Sequence, residues 1–155
     1  MADEIETENV VAEEFLREYK SDILALSVYI PYFTSKGAKD VSKDYDGEYG
    51  ASSLNFPVFD SMLLSFVKKA QKTKLMDRNY PYAYSRHRIR THDDERKFIE
   101  RATIRDVNVL RGFISRYVLE GMHNGSRWSE GVQEEIFLRV LTKLRDLMDF
   151  YQMNQ

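Results

Sequence analysis

The chain has no cysteine, and only three prolines and seven glycines among its 155 residues. Without cysteine it can form no disulfide, no thiolate nucleophile and no cysteine-ligated zinc site. The scarcity of proline and glycine favours helices over a fold of many strands and turns. No apolar run approaches the roughly 20 residues that a transmembrane helix needs, and the first residues lack the basic and apolar regions of a signal peptide. We therefore expect a cytoplasmic protein.

Hydrophobic residues make up 43% of the chain, which is enough for one globular domain with a core. Apolar positions recur at spacings of three and four over most of the length. We predict a single, mainly α domain over residues 1–155, built as an irregular bundle of four to five helices. Residues 1–8 are expected to form an acidic tail or the fraying start of a helix, and Pro31 to stop or kink the first helix near Tyr29.

The glycine- and serine-rich residues 37–56 are predicted to form a long loop. Because so long a loop without structure is uncommon in a small domain, the alternative is a short β-hairpin near residues 45–55 and 80–90. Pro57 is expected in the first turn of the following helix. The broadest apolar stripe runs from Val132 to Tyr151, which predicts a final helix that packs against several others.

The net charge of −2 conceals an uneven distribution. Residues 1–18 carry seven acids and one base, whereas residues 60–90 carry eight bases and two acids. Such asymmetry indicates either a basic binding surface or an acidic segment that folds onto a basic patch of the same molecule. The sequence alone leaves both interpretations open.

In one segment, every second residue is a tyrosine or an arginine. This segment is Tyr80-Pro-Tyr-Ala-Tyr-Ser-Arg-His-Arg-Ile-Arg90. If it is extended, one face carries three phenols followed by three guanidiniums. Aromatic residues and arginine are enriched in protein interfaces, and they also stack on bases and neutralise phosphates of single-stranded nucleic acid. A purely structural interpretation is that the tyrosines pack on the bundle while the arginines pair with the acidic N-terminal segment.

These considerations define a set of candidate residues for binding a protein partner or nucleic acid. They are Lys68, Lys69, Lys72, Arg78, Tyr80, Tyr82, Tyr84, Arg86, Arg88 and Arg90.

The sequence shows no pattern typical of catalysis or metal binding. His87 and His92 are five residues apart, which is not the spacing that places two metal ligands on one helical face. The acidic run that follows His92, from Asp93 to Glu95, is interpreted as a first helical turn that complements the helix dipole. We predict a protein without enzymatic activity, without a bound metal and without a cofactor.

One short stretch, Thr103-Ile-Arg-Asp-Val107 followed by Gly112, resembles the opening of the helix-turn-helix in lactose-repressor-type transcription regulators. The residues that come next, including Phe113 and Ile114, are too apolar for a recognition helix that reads a DNA groove. We therefore do not expect a DNA-binding helix here.

A resemblance to known proteins rests on residues 80–90 and on three further stretches. These are Ala102-Thr-Ile-Arg-Asp106, Ser115-Arg-Tyr-Val118 and Trp128-Ser-Glu-Gly-Val132. Over residues 80–150 the chain resembles small uncharacterised proteins of gut Firmicutes and their mobile elements. The resemblance assigns no binding or catalytic residue. Small proteins of that setting often regulate transfer or inhibit host defence nucleases, and this implies a binding protein.

We predict a non-enzymatic module that recognises a protein partner. It would act as an inhibitor or regulator of nucleic-acid-handling machinery, such as an anti-defence protein of the anti-CRISPR or anti-restriction type. The alternative is direct binding of nucleic acid by the basic, tyrosine-containing surface of residues 68–90. A third hypothesis is a homo-oligomer formed through exposed apolar positions of the last helix. No membrane partner is expected.

Overall fold

The computed structural model describes residues 2–36, 42–45 and 56–153. Over these residues the chain is mainly helical, as predicted, but its eight α-helices outnumber the four to five expected. The helices are α1 (Ala2–Ser27), α2 (Ile30–Lys36), α3 (Ser61–Ala70), α4 (Tyr80–Arg86), α5 (His92–Arg101), α6 (Val107–Glu120), α7 (Ser126–Gln133) and α8 (Ile136–Met153). One turn of 3-10 helix (Ile104–Asp106) precedes α6, and two short strands, β1 (Ser42–Tyr45) and β2 (Phe56–Phe59), lie between α2 and α3.

The first helix is longer than the sequence indicated. It begins at Ala2, so residues 2–8, expected as an acidic tail, continue the helix. It ends at Ser27, whose hydroxyl donates to the carbonyl of Ile23 at 2.6 Å, and α2 then starts at Ile30 with Pro31 in its first turn. The prediction that Pro31 ends the first helix is confirmed, since proline fits a first turn but not a helix interior.

The two strands pair with each other in antiparallel register, with Ser42 opposite Phe59. Two predictions were therefore wrong. Pro57 lies in β2 instead of opening a helix, and residues 80–86 form a helix instead of a strand. Proline is tolerated in β2 because both strands of a two-stranded ribbon are edges. Residues 37–41 and 46–55 of the expected loop, and most of the hairpin expected near residues 45–55, lie outside the described residues.

Helix α8 lies at the centre of the fold and packs against α1, α2, α5, α6 and α7. The prediction of an apolar last helix that contacts several others is confirmed. Its buried face consists of Ile136, Phe137, Val140, Leu141, Leu144 and Met148. The predicted helix was too long, because the chain breaks at Glu135, which has a positive φ of 62°. Residues before that break form the separate helix α7.

Two capping boxes define the boundaries around α5 and α6. Thr91 and Asp94 exchange side-chain and backbone hydrogen bonds at the start of α5, and Thr103 and Asp106 do the same before α6. In both, a threonine is followed three residues later by an acid, which is close to the usual sequence signature of a capping box. Helix α6 then runs from Val107 to Glu120 without a turn, which is why the helix-turn-helix motif does not form.

Candidate binding site

Helix α4 changes the geometry expected for the segment of residues 80–90, called here the Tyr/Arg segment. Residues 80–86 are helical, and side chains share a helical face at spacings of three and four, not two. The expected single face of phenols and guanidiniums is therefore wrong. Tyr80 and Tyr84 lie on one face of α4, and Tyr82 and Arg86 on another.

The inward face of α4 packs against α6. A Cβ atom at Gly112 of α6 would lie only 3.3 Å from the Cβ atom of Ala83, so glycine permits this close approach. Tyr84 packs edge-on to Phe113 with ring centroids 5.2 Å apart. On the outward face Tyr82 is 57% exposed, and Arg86 donates to its hydroxyl at 3.2 Å.

The end of α4 forms a Schellman motif with arginine at its left-handed position. The amide of Ile89 donates to the carbonyl of Tyr84, and the amide of Arg88 donates to the carbonyl of Ser85. Arg88 has a φ of 56°. Glycine is the residue usually found at this position, because a Cβ atom is strained there by about 1–2 kcal/mol.

A cavity of about 480 Å³ opens between the Tyr/Arg segment and α6. Its lining combines residues of the Tyr/Arg segment with two residues of α6, Arg116 and Glu120, that the sequence did not indicate. The full lining is Tyr80, Pro81, Tyr84, Ser85, Arg88, Ile89, Arg90, Arg116 and Glu120. Gly112, Arg116 and Glu120 follow each other at steps of four, so they occupy the same side of α6, the side that faces α4. That spacing after a helical glycine was the signal available in the sequence.

Behind the cavity lies a buried carboxylate, Glu95, of which 1% is exposed. The hydroxyls of Tyr84 and Tyr117 both donate to it, Tyr117 at 2.7 and 2.9 Å. His92 Nδ1 lies 2.8 Å from Glu95 Oε1, and Arg116 Nη1 lies 3.7 Å from Oε2. Burying a carboxylate is tolerated only when it is hydrogen-bonded and paired, and Glu95 has both kinds of partner. Glu95 does lie in the acidic first turn of α5, as the sequence indicated, but the sequence did not indicate that its carboxylate is buried.

Glu95 belongs to a closed ring of alternating acids and bases, called here the charged ring. Going round from Glu95, its members are Arg116, Glu120, Arg127, Glu130 and His92. Consecutive members are separated by 3.7, 3.7, 3.2, 2.6, 2.9 and 2.8 Å. The ring ties α5, α6 and α7 together, and Arg116 and Glu120 are its two members that reach the cavity.

The surroundings of Tyr84 and Tyr117 keep the hydroxyls of both side chains protonated. Burial, together with the charge and hydrogen bonding of Glu95, raises the pKa of both Tyr84 and Tyr117 far above that of a free phenol. Both hydroxyls therefore act as donors to Glu95 at any physiological pH. Burial also raises the pKa of Tyr80 at the cavity wall, with a further contribution from its hydrogen bond to Glu120.

The predicted cations occupy two parts of the molecule. Lys68 and Lys69 end α3, and Lys72 follows them, all three exposed. Helix α3 packs against α1, whereas α4 packs against α6. Arg78 is exposed in the turn before α4. The structure therefore groups Tyr80, Tyr84, Arg88 and Arg90 around one cavity, whereas the lysines at the end of α3 do not line it.

Within the described part of the chain, none of the seven predicted cations forms an ion pair. The seven are Lys68, Lys69, Lys72, Arg78, Arg86, Arg88 and Arg90. The acidic helix α1 contacts the basic region at Lys74 instead, where Glu18 lies 3.8 Å from the ammonium group and Asp22 accepts from the backbone amide. The interpretation in which α1 neutralises the arginines of the Tyr/Arg segment finds no such contact in residues 7–36.

No group of three or more histidine, aspartate or glutamate side chains in the described ranges is placed to hold a metal ion. None of the helices there is long and apolar enough to cross a membrane. No family model, no curated protein and no solved structure matches this chain. The function of the cavity and its guanidiniums therefore has to be inferred from their geometry.

Proposed function

We propose that this chain is a non-enzymatic binding module whose Tyr/Arg segment recognises an acidic surface of a protein partner. The observation that carries the proposal is the cluster of exposed guanidiniums, Arg86, Arg88 and Arg90, which have no carboxylate partner among the described residues. Arg96, Arg116 and Arg127 are paired with glutamates. Arg101 and Arg105 are also exposed without an ion pair in the described ranges, but they do not line the cavity. Two members of the cluster, Arg88 and Arg90, line the cavity, where unpaired guanidiniums offer forked donors for external carboxylates.

The backbone at Arg88 supports the same proposal. Glycine would relieve the strain of its left-handed conformation, yet the chain carries a long cationic side chain there, at the wall of the cavity. Strained residues cluster at binding sites because the side chain is needed in that place. The left-handed backbone that directs the Arg88 side chain to the cavity thus lowers the stability of the fold.

A protein partner is favoured over nucleic acid by the orientation of the tyrosines. Single-stranded nucleic acid is bound by several exposed rings on which successive bases stack. Only Tyr82 of the three tyrosines is largely exposed, whereas the hydroxyls of Tyr80 and Tyr84 are bonded to Glu120 and Glu95. One exposed ring beside arginines fits a protein interface better than a stacking platform.

The proposal of a non-enzymatic role draws on the state of Glu95. A catalytic carboxylate must reach its substrate with a free lone pair or a proton. Glu95 is 1% exposed, and its oxygens are taken up by two phenols and His92. This group stabilises the fold behind the cavity and has no access to a bound molecule.

The resemblance to mobile-element proteins narrows the proposed partner. A component of bacterial nucleic-acid-handling machinery in the cytoplasm, such as a defence nuclease, would be inhibited or regulated by the bound module. Direct nucleic-acid binding and self-association through α8 are the competing outcomes that an experiment must separate.

The test is affinity capture from a native bacterial lysate with three forms of the chain: the natural sequence, Arg88→Gly and Glu135→Gly. Both variants place glycine at a left-handed position, so they relieve the same kind of strain. Only Arg88→Gly removes a guanidinium from the cavity. We expect a protein that survives nuclease treatment, is captured by the natural chain and by Glu135→Gly, and is lost with Arg88→Gly.

Capture that disappears on nuclease treatment and weakens steeply with salt would contradict the proposal in favour of nucleic-acid binding. Equal capture by all three forms would show that the Tyr/Arg segment is not the interface. A larger hydrodynamic size of the purified chain that persists in high salt would indicate self-association through apolar surface instead.

A further inference from the structure

We infer that the cavity beside α4 is the receptor for a single carboxylate group of the partner, supplied either by an acidic side chain or by a chain terminus. This inference rests on the proposed function and specifies its anchoring contact. The cavity is concave, opens to solvent and has a volume of about 480 Å³, which lies in the range of sites that hold small groups. Its chemistry is set by three guanidiniums and one carboxylate.

The guanidiniums are not equivalent. Arg116 is already held by Glu95 and Glu120, each 3.7 Å away, and its charge lies over the rings of Tyr84 and Tyr117 at 4.8 and 5.4 Å. Arg88 and Arg90 line the same cavity and have no acidic partner among the described residues. They are therefore the two donors available to an incoming anion.

Their position is fixed by the backbone. The Schellman motif holds Arg88 through two hydrogen bonds to α4, and the amide of Arg90 donates to the cap residue Asp94 at 3.0 Å. Both side chains thus start from anchored backbone at the end of one helix and the beginning of the next. Such preorganisation reduces the entropy lost when a ligand is bound.

The negative groups of the site favour a carboxylate over a phosphate. Glu120 lines the cavity, and Glu95 lies directly behind Tyr84 and Arg116. Glu95 and Glu120 offset two of the three guanidinium charges, so about one positive charge remains, which a carboxylate monoanion neutralises and a phosphate dianion exceeds. The hydroxyl of Tyr84 is committed to Glu95 and is not available to a phosphate oxygen.

The rest of the lining suits the stem that carries a carboxylate. Pro81 and Ile89 present apolar surface, and the tyrosine rings add flat walls beside them. An aliphatic stem of one or two methylenes can be desolvated against this surface while its carboxylate meets Arg88 and Arg90. A bare inorganic ion would leave that apolar surface uncovered.

The experiment titrates small probes into the isotopically labelled full chain and follows the arginine Nε–H and backbone amide resonances by NMR. The probes are N-acetylglutamate α-amide, N-acetylglutamine with a free α-carboxylate, N-acetylglutamine amide and inorganic phosphate. We expect saturable shifts at Arg88, Arg90 and Arg116 with one or both carboxylate probes. We expect none with the neutral amide, and affinity about tenfold weaker in Arg90→Ala. Arg139→Ala, which removes a guanidinium of α8 that does not line this cavity, is the matched control.

Preference for the first probe identifies an acidic side chain as the source, and preference for the second identifies a chain terminus. Tighter binding of phosphate than of either carboxylate overturns the inference, as does binding that is unchanged in Arg90→Ala. Absence of any shift also overturns it, while the capture experiment with Arg88→Gly still decides the proposed function independently. If capture fails but the probes bind, the receptor exists and the proposed partner class is wrong.

Discussion

At the scale of single residues, Glu95 is the one charged residue of the described part of the chain that is buried. Its buried carboxylate depends on Tyr117, a fully buried residue whose hydroxyl lies 2.7 and 2.9 Å from the two oxygens. Hydrogen bonds to a charged group contribute more than neutral ones. Removing this donor also leaves the carboxylate with less compensation for its burial.

We therefore expect Tyr117→Phe to lower the free energy of unfolding by about 1.5–3 kcal/mol, measured by urea denaturation. The matched control is Tyr29→Phe, a buried tyrosine whose hydroxyl meets the neutral hydroxyl of Ser65 at 2.7 Å. It should cost about 0.5–1.5 kcal/mol. If the two losses were equal, the charge of Glu95 would not contribute to the difference.

The left-handed residue Arg88 gives a prediction of opposite sign. Arg88→Gly should raise the free energy of unfolding by about 0.5–1 kcal/mol, because it removes backbone strain at φ 56° without breaking an ion pair. The same urea titration measures this effect. Glu135→Gly provides a comparison in which part of the gain is offset by loss of the Glu135–Arg139 pair at 3.9 Å. A destabilised Arg88→Gly variant would mean that the side chain makes a stabilising contact within the fold.

The sequence could not reveal the role of Glu95 because its local context is that of an ordinary acidic helix start. Asp93 and Asp94, which precede Glu95 in the same turn, behave as an ordinary helix start would. Asp94 is part of a capping box, and Asp93 pairs with Lys97 at 2.9 Å. Only the packing of α4 and α6 brings Tyr84 and Tyr117 to the third acid. These contacts arise from tertiary packing, so the spacing of residues along the sequence does not reveal them.

At the scale of elements, the sequence predicted a helix well where an apolar stripe was long enough to define the helical period. The buried face of α8 is an example. Helix α4 was missed because seven residues give less than two full turns of pattern. Alternating tyrosines also favour strands by propensity. The close approach of Ala83 to Gly112 stabilises a helix there instead.

The junction between α6 and α7 depends on glycine at position 121. A Cβ atom there would lie 2.0 Å from Cδ1 of Trp128, whose indole donates to the carbonyl of Val118 at 3.0 Å and packs edge-on to Phe59. This close packing explains the single tryptophan as a structural residue at the start of α7 instead of an interface anchor.

Gly121→Ala should therefore displace the indole and lower the free energy of unfolding by about 1–3 kcal/mol, with a change in tryptophan fluorescence of the folded state. Gly112→Ala serves as the comparison, because the nearest atom to its new Cβ is 3.3 Å away and a small shift of α4 can accommodate it. Unchanged fluorescence in Gly121→Ala would contradict the described position of Trp128.

At the scale of the whole molecule, the charged ring joins three helices that each also pack on α8. Its members come from residues 92 to 130, so no local sequence pattern could have indicated that they close on one another. The cavity lies against this ring through Arg116 and Glu120. The cavity is thus backed by a network in which three acids alternate with three bases.

The ring also predicts how stability depends on pH. Burial by itself would raise the pKa of Glu130, but the hydrogen bond and charge of Arg127, with His92 adding to them, outweigh burial and lower it below its ordinary value of 4.5. A carboxyl with a lowered folded-state pKa stabilises the protein fully above its unfolded value, and this contribution is lost as the pH falls through the folded value.

Glu130→Gln should therefore destabilise the chain at neutral pH, and its difference from the natural protein should shrink as the pH falls below about 4.5. Urea denaturation at a series of pH values from about 7 to about 3 measures this convergence. Asp149→Asn, at an exposed carboxylate of α8 without an ion pair among the described residues, is the control and should run parallel to the natural protein. A difference for Glu130→Gln that stayed constant with pH would mean that the glutamate acts through hydrogen-bond geometry alone, because glutamine retains one acceptor oxygen but carries no charge to lose.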